Sequence, residues 1–163
     1  AKHAFRKAAH IAVSAGRKVA LSLSDPFCVE RHRSDFLDLV KNHIDILFAN
    51  EEEIMSLYQL KDFDAAMQAV RADCEIAALT RSEKGSVVVC RDEVHIIDAE
   101  PVVQVVDTTG AGDAYAAGFL HGLTVNQPLD KCARLGSICS AEIISHVGAR
   151  PNISLKNRIK EKI

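Results

Sequence analysis

A chain of 163 residues is the size of one compact domain and long enough to bury a real core. Its formal net charge of −2 argues against a surface built to hold nucleic acid or an anionic membrane. No apolar run reaches the roughly 18 residues that a bilayer demands, and no signal-peptide pattern opens the sequence. The five cysteines (Cys28, Cys74, Cys90, Cys132, Cys139) show no paired spacing and read as reduced thiols of a cytoplasmic protein. The histidines form no cluster, which disfavours a protein-built transition-metal site.

Hydrophobic period and chain breakers divide the sequence into alternating helices and strands. A helix covers roughly 1–15 and ends at Gly16, and a strand at Val19–Leu23 is stopped by Asp25-Pro26. A helix over 34–42 leads to a strand at Ile44–Ala49 that delivers Asn50. Helices near 51–58 and 63–72 precede a strand at Glu75–Thr80, and Gly85 introduces a hairpin of 86–90 and 94–97. The apolar residues Val102, Val103, Val105 and Val106 read as a buried strand. Helices follow from the glycine-rich turn to about Leu123, over 128–145, with Cys132 and Cys139 on its inward face, and after Pro151 with Ser154 as cap. Such alternation predicts an α/β fold, a mostly parallel, doubly wound sheet flanked by helices. Ligands of such sheets sit at the carboxyl ends of the strands, where Asn50, Thr80 and the stretch Asp107–Asp113 all fall.

Asp107-Thr-Thr-Gly-Ala-Gly-Asp113 is the most informative stretch. Gly110 and Gly112 allow close backbone approach, and the helix opening there aims free N–H groups at an anion such as a transferring phosphate. The backbone N–H groups of Gly110, Ala111, Gly112 and Asp113 form the candidate anion hole. A carboxylate beside an anion site needs a task, and removing a proton from a hydroxyl that attacks phosphorus is one. Asp113 is therefore the candidate general base; as a plain helix-start carboxylate it would only complement the dipole. A dinucleotide fingerprint does not fit, because Tyr115 occupies its third glycine position, and no Lys-Ser/Thr follows to make a P-loop. Asn50 and Glu53 sit three apart at a helix start, a pattern equally suited to a capping box and to organising a metal through water.

DTTGAGDAYAAGF resembles the C-terminal signature of the ribokinase-like (PfkB) carbohydrate and nucleoside kinases. Asn50-Glu-Glu-Glu53 is similar to the family's Asn-x-x-Glu motif, and Thr80-Arg-Ser-Glu-Lys-Gly85 to its Thr-x-Gly-x-x-Gly nucleotide loop, with Ser82 where glycine is usual. Leu21–Phe27 and Arg31–Ser34 look most like the adenosine-kinase branch. The resemblance implies an ATP-dependent kinase acting on a hydroxymethyl group of a nucleoside, adenosine favoured, or of a sugar such as ribose or fructose. It implies that Thr80, Ser82 and Gly85 contact the nucleotide, and that Asn50 and Glu53 organise Mg²⁺ through water. It also implies a K⁺ site near Asp107 and Thr109, completed by carbonyls of the loop at Ser145–Gly148. The family is about twice this long, so residues 1–163 are expected to be its C-terminal nucleotide-binding and catalytic portion, lacking the acceptor-binding part and lid. The alternatives are a nucleotide-binding module without catalysis and an inactive fragment.

Overall fold

The computed structural model describes residues 2–162, so Ala1 of the first expected helix lies outside the described residues. Chain order is α1 (Lys2–Ser14), β1 (Ala20–Ser22), α2 (Pro26–Arg31), α3 (Arg33–His43), β2 (Ile46–Asn50), α4 (Glu51–Tyr58), α5 (Phe63–Arg71) and β3 (Ile76–Thr80). After a short 3₁₀ turn at Ser82–Lys84 come β4 (Ser86–Cys90), β5 (Glu93–Ile97), α6 (Ala111–Thr124), α7 (Leu129–Ile143) and α8 (Leu155–Lys162). The strands form one sheet in the order β1-β2-β3-β4-β5, parallel from β1 through β3 and flanked by helices. This is the expected α/β class. The two-residue link Arg91-Asp92, with Arg91 at φ 53°, makes β4 and β5 the expected hairpin.

The chain divides into two compact units, one of residues through Thr80 with Val89–Val94, the other of Arg81–Val88 with the residues from His95 onward. In the first unit, Leu47, Ala77, Ala78 and Leu79 are fully buried. Continuous apolar strands of this kind belong to a sheet covered on both faces. The parallel register pairs Asn50 with Thr80, so the carboxyl ends of β2 and β3 lie side by side. In the second unit, α7 buries Cys132 and Cys139 as its apolar stripe requires. Ala114, Cys139 and Ile143 form a cluster onto which Leu155 and Ile159 of α8 pack.

One helix was not expected, and one expected strand needs correction. Asp25-Pro26 does not only end a strand; Asp25 accepts the Phe27 N–H at 2.7 Å and caps α2, with Pro26 in the first turn. Proline has no N–H to lose there, so the same dipeptide that stops a strand starts a helix. The valine-rich segment 102–106 is not a buried strand: Val103, Val105 and Val106 are exposed, and the Val106 N–H donates to the Ile144 carbonyl. A strand requires a neighbouring ladder, and none among the described residues pairs with this segment.

Candidate active site

Gly110 stands at φ 82° and caps α6 with no side chain of its own. A Cβ there would come within 2.6 Å of the Ala149 Cβ, so both the turn and its packing demand glycine. The Ala111 N–H closes the turn onto the Thr108 carbonyl at 3.1 Å. That leaves the next N–H groups, of Gly112 and Asp113, as the first-turn donors without an acceptor behind them. A Cβ on Gly112 would meet nothing within 4 Å, so a side chain would leave this first turn into open space. Asp113 lies exposed on the same turn.

Asp107 fixes the approach to that turn. Its Oδ1 accepts the Thr109 N–H and its Oδ2 accepts the Gly148 N–H, each at 2.9 Å. The Gly148 N–H, then the Thr109 hydroxyl and N–H, hold its carboxyl down at about 2. The Gly148 N–H thereby ties the end of the loop 145–148 to Asp107.

The stretch Arg81–Gly85 is a closed loop, with the Arg81 N–H donating to the Gly85 carbonyl at 2.8 Å and the Gly85 N–H to the Ser82 carbonyl at 3.1 Å. Ser82 takes φ 52°, the left-handed region that glycine occupies at least cost, which is a physical reason for a glycine there in related loops. Gly85 has φ 81°, and a Cβ on it would collide with the Ile97 carbonyl oxygen.

In the first unit, Asn50 and Glu53 form a complete capping box. The Glu53 N–H donates to Asn50 Oδ1 at 2.8 Å, while Glu53 Oε2 accepts the Asn50 N–H and Oε1 accepts Asn50 Nδ2, both at 2.9 Å. Burial pushes the Glu53 carboxyl up, aided by the charges of Asp25 and Glu52 and opposed by the Asn50 N–H. Both carboxylate oxygens are engaged and the residue is only 5% exposed, which fits a metal held through water better than one bound directly. Among the described residues no group of three His, Cys, Asp or Glu side chains is placed to hold a metal. Thr80, half-buried, ends β3 beside Asn50.

Sequence reasoning missed several polar contacts. Arg33, the first residue of α3, donates from Nε to the Leu57 carbonyl at 2.8 Å near the end of α4. In the second unit, buried Glu100 pairs with Arg134 and with Lys162, the latter at 2.9 Å, and the buried Tyr115 hydroxyl donates to Ser86 Oγ at 2.8 Å. None has a local motif; partners 24 to 62 positions apart leave no mark in the sequence.

A family model for the pfkB family carbohydrate kinases matches residues 1–156, and the chain belongs to that family. It superposes on an adenosine kinase from Sinorhizobium meliloti with a TM-score of 0.95 and 46% identity, over 98% of this chain and 49% of that one. A probable sugar kinase from Rhizobium etli gives a TM-score of 0.96 and 44% identity over 99% of this chain and 49% of the other. A cytidine kinase from Thermococcus kodakarensis is 31% identical over 137 residues, 82% of this chain and 49% of that protein. The chain thus spans about half the length of these relatives. No helix of the described residues is long and apolar enough to cross a membrane.

Proposed function

We propose that this chain is the nucleotide-side half of an ATP-dependent kinase that transfers the γ-phosphoryl group to a hydroxymethyl group of a nucleoside, adenosine being favoured over ribose or fructose. The observation that carries the reading is the glycine turn, where Gly112 opens onto free space in the first turn of α6 and an exposed carboxylate stands beside it. Asp113 takes the proton from the acceptor hydroxyl as its oxygen attacks phosphorus. The N–H groups of Gly110, Gly112 and Asp113 receive the charge that develops on the phosphoryl oxygens, and Ala111 shapes the turn by its bond to Thr108. Thr80, Ser82 and Gly85 hold the nucleotide phosphates.

Magnesium supplies charge neutralisation at the phosphates, and Asn50 and Glu53 would hold it through water. Asp107 is kept ionised and each of its oxygens has a second lone pair, which suits a K⁺ beside Thr109. The preference for a nucleoside rests on the adenosine and cytidine kinases among the relatives, and a sugar acceptor on the sugar kinase of equal similarity. The free thiols of Cys28, Cys74, Cys90, Cys132 and Cys139 support a cytoplasmic setting. The 163 residues alone bind Mg·ATP weakly and lack most acceptor contacts, so they forfeit the proximity contribution of about 7–11 kcal/mol. A coupled ADP-release screen with adenosine, cytidine, ribose and fructose tests this. The isolated chain is expected to be inactive with all four, and active only when joined to an acceptor-binding half.

A further inference from the structure

Tyr115 sits two residues after Asp113 on α6, 3% exposed, its ring stacked on Phe119 with centroids 6.3 Å apart. Gly136 of α7 lies directly against it, where an added Cβ would come 2.8 Å from the Tyr115 carbonyl oxygen and 3.0 Å from the ring. The side chain is therefore fixed, and its one polar atom is aimed at a single partner. That partner is Ser86, 1% exposed, the residue that follows Gly85 of the closed loop. Burial pushes the phenol up to about 12, so the hydroxyl keeps its proton and donates throughout the neutral range.

We infer that Tyr115 is a positioning residue whose hydroxyl, through Ser86, sets the loop Arg81–Gly85 in register with the glycine turn at the start of α6. The inference rests on the reading of that loop and turn as the holders of a nucleotide's phosphates. A ligand that touches both parts depends on their register, whereas one that touches the loop alone does not. Phenylalanine at this position would fill the same space and stack the same way, so the hydroxyl is what a substitution can isolate.

The test is calorimetric titration of the 163-residue chain with a non-hydrolysable ATP analogue and with ADP, both with magnesium. Tyr115→Phe should raise the Kd of the ATP analogue about three- to tenfold, the worth of one buried hydrogen bond, while the Kd for ADP changes less than about twofold. Ser86→Ala should reproduce that split, and the double variant should add nothing further, as two ends of one bond require. Should Tyr115→Phe fail to fold, Ser86→Ala carries the same comparison. Equal changes for both ligands, or a fall in Tm with both affinities unchanged, would overturn the inference and leave the bond purely structural. A wild-type chain that binds neither ligand would overturn the loop assignment itself, and the inference with it.

Discussion

Asn50 and Glu53 bind each other through three hydrogen bonds, leaving no oxygen of the Glu53 carboxylate without a donor. The pair is thus both the start of α4 and the candidate magnesium organiser, and the two roles respond differently to charge. Glu53→Gln keeps one oxygen to accept the Asn50 N–H and complete the capping box, removes the negative charge, and loses the bond from Asn50 Nδ2. Burial already disfavours that charge, which offsets the lost bond, so Tm should change little. The magnesium concentration at half-maximal rate should rise severalfold in a protein competent for turnover. Asn50→Ala instead removes the cap and should cost about 0.5–2 kcal/mol of stability. An unchanged magnesium curve for Glu53→Gln would reduce the pair to a helix cap.

Gly110 and Gly112, two residues apart, should behave in opposite ways. Gly110→Ala meets Ala149 and a positive φ, and should lower Tm whatever it does to binding. At Gly112 an added Cβ meets nothing within 4 Å, and replacing glycine in a helix gains up to about 1 kcal/mol, so the Tm of Gly112→Leu should hold or rise. The leucine nevertheless fills the space over the helix start. Phosphoryl transfer should fall by about 10²–10³, the scale of one lost oxyanion donor. Paired thermal melts and rate measurements separate the two, and normal turnover in Gly112→Leu would place the phosphate elsewhere.

Asp107 predicts a pH dependence. Its carboxyl is lowered from 3.8 to about 2 by the Gly148 and Thr109 donors. A depressed folded-state value means that its contribution is fully present above pH 3.8 and lost as pH falls toward about 2. The Tm difference between wild type and Asp107→Asn should therefore be constant above pH 3.8 and shrink below it. A difference that grows as the pH falls would contradict the assignment.

The legibility of this chain follows the range of its interactions. The capping pair at 50 and 53 and the glycine turn at 110–112 are local: spacing and residue type alone dictate their geometry, and both were readable. The parallel order of β1 to β3 followed from helix–strand alternation. Segment 102–106 misled because an apolar run signals surface to be covered without saying what covers it. Helix α2 went unread because Asp25-Pro26 serves both as a strand stop and as a helix start. Tyr115–Ser86 and Glu100–Arg134, separated by 29 and 34 positions, join α6 to the start of β4 and α7 to the segment after β5, and carry no local signal.

The central claim is that Asp113 is the base of a phosphoryl transfer. The most direct measurement uses a chimera in which these 163 residues replace the matching half of the 46% identical adenosine kinase. The chimera should release ADP only in the presence of an acceptor, with adenosine the best. Asp113→Asn should lower kcat by about 10²–10⁴, the contribution of a positioned base, and leave the Kd for Mg·ATP within about twofold. A variant that retains near-wild-type kcat in the same chimera would contradict the account.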